Sequence, residues 1–200
     1  MNRFCARHTQ LVEGSANPRR QGDAPSRQLV AATGVDPQKI FAGARLAGGR
    51  LAYFEFRKHP RSITYWFIYG FNVGDPAGFT NHEGDWERIS VQLDDNNHAR
   101  KVAYYQHDGS CVLDWNAAPK TRAGHPIVYS DNGSHASSPT GTDGGPRWGT
   151  WKHLRNVLQT PWYGYGGAWG SASDTSITTG PLGPSPYKLG PSQGLDQAGC

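Results

Sequence analysis

In Asp85-Trp86-Glu87-Arg88-Ile89-Ser90-Val91-Gln92-Leu93 the second half, Ile89 to Leu93, alternates apolar and polar residues, the pattern of a half-buried β-strand. Successive side chains on a strand point to opposite faces, so Asp85, Glu87, Ile89, Val91 and Leu93 share one face. Trp86, Arg88, Ser90 and Gln92 take the other. Just upstream, Asn81-His82-Glu83-Gly84 adds an imidazole and a third carboxylate. Two acids therefore stand at the mouth of an otherwise apolar face. An unpaired buried carboxylate is very costly, so the pair requires a cation, a proton or hydrogen-bond donors.

Working outward, 62–71 (Ser-Ile-Thr-Tyr-Trp-Phe-Ile-Tyr-Gly-Phe) is a β-branched and aromatic run and reads as a deeply buried strand. A first strand is expected within 39–56, and 72–81 is a loop with Pro76 and Gly78. Asp94-Asp95-Asn96-Asn97 is a polar turn that ends the central strand. Further strands are expected at 101–107, at 111–115 after a turn at Asp108-Gly109, and at 127–129. The stretch 131–146, dense in Gly, Ser, Asn, Thr and Pro, reads as a long loop, and 150–158 as a short helix with Trp151, Leu154, Val157 and Leu158 on one side. Short strands with frequent turn signals and almost no helical period give an all-β fold, a β-sandwich with long loops and at most one or two short helices. The expected division is a flexible polar leader over 1–38, a single sandwich domain over 39–187 and a flexible tail over 188–200.

Composition agrees with this. Hydrophobic residues make up only 36%, but seven Trp, nine Tyr and seven Phe offset the deficit, since each aromatic buries a large area. The 26 Gly and 14 Pro favour turns over long helices. A formal charge of +4 without any basic block gives no reason to expect a nucleic-acid partner. No run of eighteen apolar residues exists to cross a membrane as a helix. The first ten residues lack the apolar core of a signal peptide, and Cys5, Cys111 and Cys200 form no paired motif. A cytoplasmic, reducing location is the expectation.

Four residues make a candidate metal set, Asp75, His82, Asp85 and Glu87. Such an oxygen-rich group favours calcium, magnesium or manganese, and the imidazole tilts it towards manganese or zinc. The alternative is structural, with Asp85 and Glu87 ion-paired to Arg88 or a neighbouring Arg and His82 capping a turn. His107, beside Asp108-Gly109, and His135, in Gly133-Ser134-His135-Ala136-Ser137, are candidates for acid–base work near neutral pH, or simply turn and solvated residues. No Gly-x-Ser-x-Gly elbow and no phosphate-binding glycine loop occurs, which excludes the α/β-hydrolase arrangement and leaves nucleotide binding without support.

As a set, several motifs over roughly residues 60–187 resemble the vacuolar protein sorting-associated protein sixty-two family. They are Ile63-Thr64-Tyr65-Trp66-Phe67-Ile68-Tyr69-Gly70-Phe71-Asn72, Asn81 through Arg88, Tyr104-Tyr105-Gln106-His107, His125-Pro126-Ile127-Val128-Tyr129, Gly133-Ser134-His135-Ala136, Gly167-Ala168-Trp169-Gly170 and Gly180-Pro181-Leu182-Gly183-Pro184. More distantly, Asn81 through Glu87 is similar to the Gly-His-Arg-His-Asp-Trp-Glu signature of the microbial necrosis-inducing proteins. That resemblance implies a β-sandwich whose divalent cation would be held here by His82, Asp85, Glu87 and the upstream Asp75. The chain departs from the signature at Gly84, where the second His belongs, and at Asn81.

Three functions follow as expectations. The first is a metal-binding module whose ion takes a polar small molecule, a glycan or a lipid headgroup. The second is a metal-dependent hydrolase in which the ion lowers the pKa of a bound water and His107 or His135 serves as acid or base. The third is a protein-trafficking interaction domain, as the first resemblance implies. The balance leans away from an enzyme.

Overall fold

The computed structural model describes residues 52–74, 76–106, 109–141, 147–148, 151, 153–160, 163, 169–170 and 183–184, and the backbone of 9–13 and 27–31. Among the described residues there are eleven strands: β1 Thr9–Glu13, β2 Arg27–Ala31, β3 Ala52–Lys58, β4 Arg61–Asn72, β5 His82–Leu93, β6 Ala99–Gln106, β7 Gly109–Asp114, β8 Val128–Ser130, β9 Ser137–Ser138, β10 Arg147–Trp148 and β11 Leu154–Asn156. The only helical element among the described residues is a 3-10 turn, Val157–Gln159. The all-β expectation holds.

The chain divides into two compact units. One comprises Met1–Gly48, Ile68–Trp86 and Gln159–Lys188; the other comprises Gly49–Phe67, Glu87–Leu158 and Leu189–Cys200. Strands β4 and β5 each continue from one unit into the other. The second unit is built on a sheet of order β11-β3-β4-β5-β6-β7, in which β11 runs parallel to β3, while β3–β4, β5–β6 and β6–β7 pair antiparallel. A cis His59–Pro60 bond makes the tight turn from β3 to β4. A three-stranded sheet, β10-β8-β9, accompanies it. The two are tied together where Tyr104 of β6 donates its hydroxyl to the Ile127 carbonyl at 3.2 Å, and β9 lies against β6.

Aromatic and branched residues form the core of this unit, because they cover the pleated surface with large apolar area. Phe67, Ile89, Val91, Val102, Tyr104 and Val128 are all buried. The face opposite Ile89 is buried as well, so β5 is not the half-buried strand that its alternation indicates. It sits between β4 and β6 in mid-sheet, and its polar Ser90 is tolerated because it shares a 2.7 Å hydrogen bond with Thr64 of β4. On that same face Arg88 lies over the rings of Trp66 and Tyr105, at 5.2 and 4.1 Å from their centroids.

In the first unit the ends of β4 and β5 are joined by residues 73–81. Two side-chain amides hold this connection: Asn72 donates to the Thr80 carbonyl at 3.1 Å, and Asn81 accepts from the Gly74 amide at 3.0 Å. Residues 1–38, read from sequence as a polar leader, carry the antiparallel β1–β2 ribbon.

Two further expectations are corrected. The helix read over 150–158 is instead β11 followed by the 3-10 turn. Its supposed apolar side is not buried, with Trp151, Leu154 and Leu158 all exposed and only Val157 enclosed, whereas pairing with β3 satisfies the backbone. The long loop over 131–146 contains β9, which pairs with β8 through a tight connection at 131–136. Cys111 is disulfide-bonded, a feature that the cysteine spacing gave no sign of.

Candidate functional site

Strand β5 begins at His82, three residues before the acid-rich segment. Gly84 is the reason for its shape. Its φ is +67°, a left-handed value that costs any residue with a Cβ, and a Cβ there would stand 1.7 Å from the Trp169 carbonyl oxygen. Gly170 returns the arrangement: its φ is +121°, and a Cβ on it would stand 1.7 Å from the Glu83 carbonyl oxygen. Two backbone segments, 83–84 and 169–170, thus meet closer than side chains allow. Trp86 and Trp169 seal the contact edge to face, with ring centroids 5.1 Å apart, and Gly183 lets the Trp169 indole approach.

This packing fixes the backbone around His82, but it does not bring His82, Asp85 and Glu87 together as a metal-holding group. His82 is half-buried, and its Nδ1 lies 2.8 Å from the Gly84 carbonyl and 3.3 Å from that of Glu83. A carbonyl oxygen can only accept, so Nδ1 carries a proton, and in the neutral form of the ring the lone pair lies on Nε2. Metal-binding histidines are commonly oriented in this way by a backbone carbonyl. Asp85 and Glu87 follow on the same strand, only 4% and 7% exposed.

Glu87 also serves the structure. Burial pulls the Arg88 guanidinium below its ordinary pKa, and the Tyr105 hydroxyl and the Glu87 carboxylate both act against that shift. The Glu87 carboxylate is thus coupled electrostatically to Arg88, the residue that the ion-pair alternative names.

Among the described residues no group of three or more His, Cys, Asp or Glu side chains is placed to hold a metal ion. Asp75, the fourth residue of the candidate set, lies outside the described residues, as does His107. His135 is buried at 5% exposure and occupies a left-handed turn of φ 59°, where its amide donates to the Asp131 carbonyl and its carbonyl accepts from the Ser130 hydroxyl. Its backbone thus closes the β8–β9 connection. Sequence reasoning missed Trp169, Gly170 and Gly183 as partners of the β5 entry. Their glycine-aromatic composition carries no period that would have revealed the docking.

Among the described residues no helix is long and apolar enough to cross a membrane. No family model matches the chain, and no curated protein does. The resemblance to the vacuolar protein sorting-associated protein sixty-two family thus rests on the quoted motifs alone. Solved structures of the NLP toxin fold are similar. One, described as a toxin fold for microbial attack and plant defense, shares 16% identity at a TM-score of 0.45, over 65% of this chain and 61% of that one. NLPPya in complex with glucosamine shares 16% at 0.42, over 66% and 67%. A mutant of NLPPya shares 17% at 0.41, over 55% of this chain and 50% of that one. The chain thus spans about half to two thirds of the length of these proteins. Identities and scores this low assign no residue a role.

Proposed function

We propose that the chain is a divalent-cation-binding β module of the vacuolar protein sorting-associated sixty-two type, taking a polar ligand such as a glycan or lipid headgroup. His82 through Nε2, with Asp85, Glu87 and the upstream Asp75, would hold calcium, magnesium or manganese. The observation that supports this reading is the 2.8 Å contact of His82 Nδ1 with the Gly84 carbonyl, which in the neutral ring puts the lone pair on Nε2, at the head of a strand bearing two buried carboxylates. Bound there, the ion would offer open coordination positions to ligand oxygens.

The test is calorimetric titration of chelator-stripped protein with calcium, magnesium, manganese and zinc, for the wild type and for Asp85→Asn and His82→Gln. The expected result is one cation per chain and at least tenfold weaker binding in both variants. Binding unchanged in the variants, or no binding to any ion, refutes the assignment and leaves the acids as a structural network around Arg88. Glucosamine and mannosamine, the sugars of the NLPPya complexes, and phosphocholine are then titrated with and without the ion.

A further inference from the structure

A second site lies wholly within the unit that holds the six-stranded sheet. A cavity of about 200 Å³ opens between that sheet and the segments flanking β8 and β11. Its floor is Phe67, Ile89 and Val128, each no more than 3% exposed. One side is formed by His125 and Trp151, whose rings stack at 5.2 Å with only 4° between their planes. Trp151 and Leu154, each 39% exposed, stand at the mouth. Tyr65 completes the wall; among the described residues its hydroxyl has no hydrogen-bond partner.

The chemistry of these walls restricts the ligand. An apolar cavity of about 150 Å³ is large enough to hold benzene, so this one accommodates a single six-membered ring with a small substituent. Hydrogen-bonding side-chain atoms come only from Tyr65, His125 and Trp151. A sugar would bring several hydroxyls and leave most of them stripped of water without a partner, which disfavours it. A planar ring brings few polar groups to strip of water and gains the face or edge of an aromatic wall.

We infer that this cavity is a binding site for a small monocyclic aromatic molecule carrying one hydroxyl, with the ring against Phe67 and Ile89 and the hydroxyl hydrogen-bonded to Tyr65. Burial raises the pKa of the Tyr65 phenol, so it remains a donor throughout the neutral range. The site uses no residue of the cation set other than through the shared strand β5, so it stands or falls independently of the proposed cation.

Phenol, toluene and glucose are the probes, titrated into the isotopically labelled full chain in the presence of chelator and followed by amide chemical shifts. Phenol is expected to give saturable shifts at Tyr65, Ile89 and Val128, and glucose none. Tyr65→Phe should weaken phenol roughly three- to tenfold, the worth of one hydrogen bond, and leave toluene within about twofold. Leu154→Trp, at the half-open mouth, should close the cavity and abolish both; Leu154→Phe serves the same purpose if the larger ring disturbs the dispersed spectrum. Absence of saturable shifts, equal binding of glucose and phenol, or undiminished binding in the blocked variants overturns the assignment.

Discussion

Replacing Gly84 by alanine tests the packing on which the candidate cation set depends. Two costs are separable. A left-handed φ of +67° costs a residue with a Cβ about 1–2 kcal/mol. The second cost is displacement: the new Cβ would stand 1.7 Å from the Trp169 carbonyl oxygen, where ordinary contact begins at 3.4 Å. Segment 169–170 would therefore have to retreat by most of the difference. That loosens the Trp86–Trp169 edge contact, worth about 0.5–1.5 kcal/mol beyond its area, and partly exposes an indole that is now 4% exposed. Together these give about 3–5 kcal/mol, a large part of the stability of an ordinary domain. Gly124 supplies the control, because its φ is +81° but no atom lies within 4 Å of its would-be Cβ, so Gly124→Ala should cost only about 1–2 kcal/mol. Urea denaturation of the two variants measures the gap. Gly170→Ala makes the reciprocal clash, so the double variant Gly84→Ala/Gly170→Ala should cost less than the sum of the singles. If Gly84→Ala proves no worse than Gly124→Ala, or if the two docking glycines are additive, the close approach of 83–84 to 169–170 is wrong.

Thr64→Val alone, or Ser90→Ala alone, should each destabilise by about 1–3 kcal/mol, because each leaves a buried hydroxyl without its 2.7 Å partner. The double variant should recover part of that loss, and an additive double-mutant cycle would exclude the pairing. Arg88→Lys should cost about 1–2 kcal/mol, since an ammonium replaces a planar group stacked on Trp66 and Tyr105; thermal unfolding measures it. The Asp94 carboxylate is held below its ordinary pKa, first by the His98 amide, then by the Asn96 amide and Arg100. A depressed folded pKa contributes stability above the unfolded value near 4, lost as pH falls through the folded one. Wild type should therefore exceed Asp94→Asn in stability at neutral pH, and the gap should close on acidification, read from denaturation midpoints across pH.

The strands legible in the sequence were those whose local preferences and tertiary roles coincide. Residues 62–71 are β-branched and aromatic throughout, and no helix tolerates such a run as readily as a central strand does. The turn after β5 was equally clear, because Asp94 accepts from the Asn96 and His98 amides as short polar side chains do in turns. Residues 150–158 misled because Trp151, Leu154, Val157 and Leu158 match a helical stripe, while burial takes only Val157 and parallel pairing to β3 takes Leu154–Asn156. Strand β9 escaped notice because Ser137 and Ser138 have no strand propensity; they are buried where β9 pairs with β8 and lies against β6. At the candidate site the order of His82, Asp85 and Glu87 was visible in the chain. What orients His82 was not, since Gly84 is fixed by a carbonyl eighty-five residues away.

The departure at Gly84 also bears on what any ligand here can do. The necrosis-inducing signature places a second histidine at that position, and in this chain none fits: φ is left-handed and the Trp169 carbonyl occupies the Cβ space. A histidine there would have to push out the Trp169–Gly170 segment. Backbone fills the Cβ space at Gly84, and the Gly84 carbonyl lies 2.8 Å from His82 Nδ1. Any chemistry drawn from two adjacent histidines is therefore excluded at this strand entry.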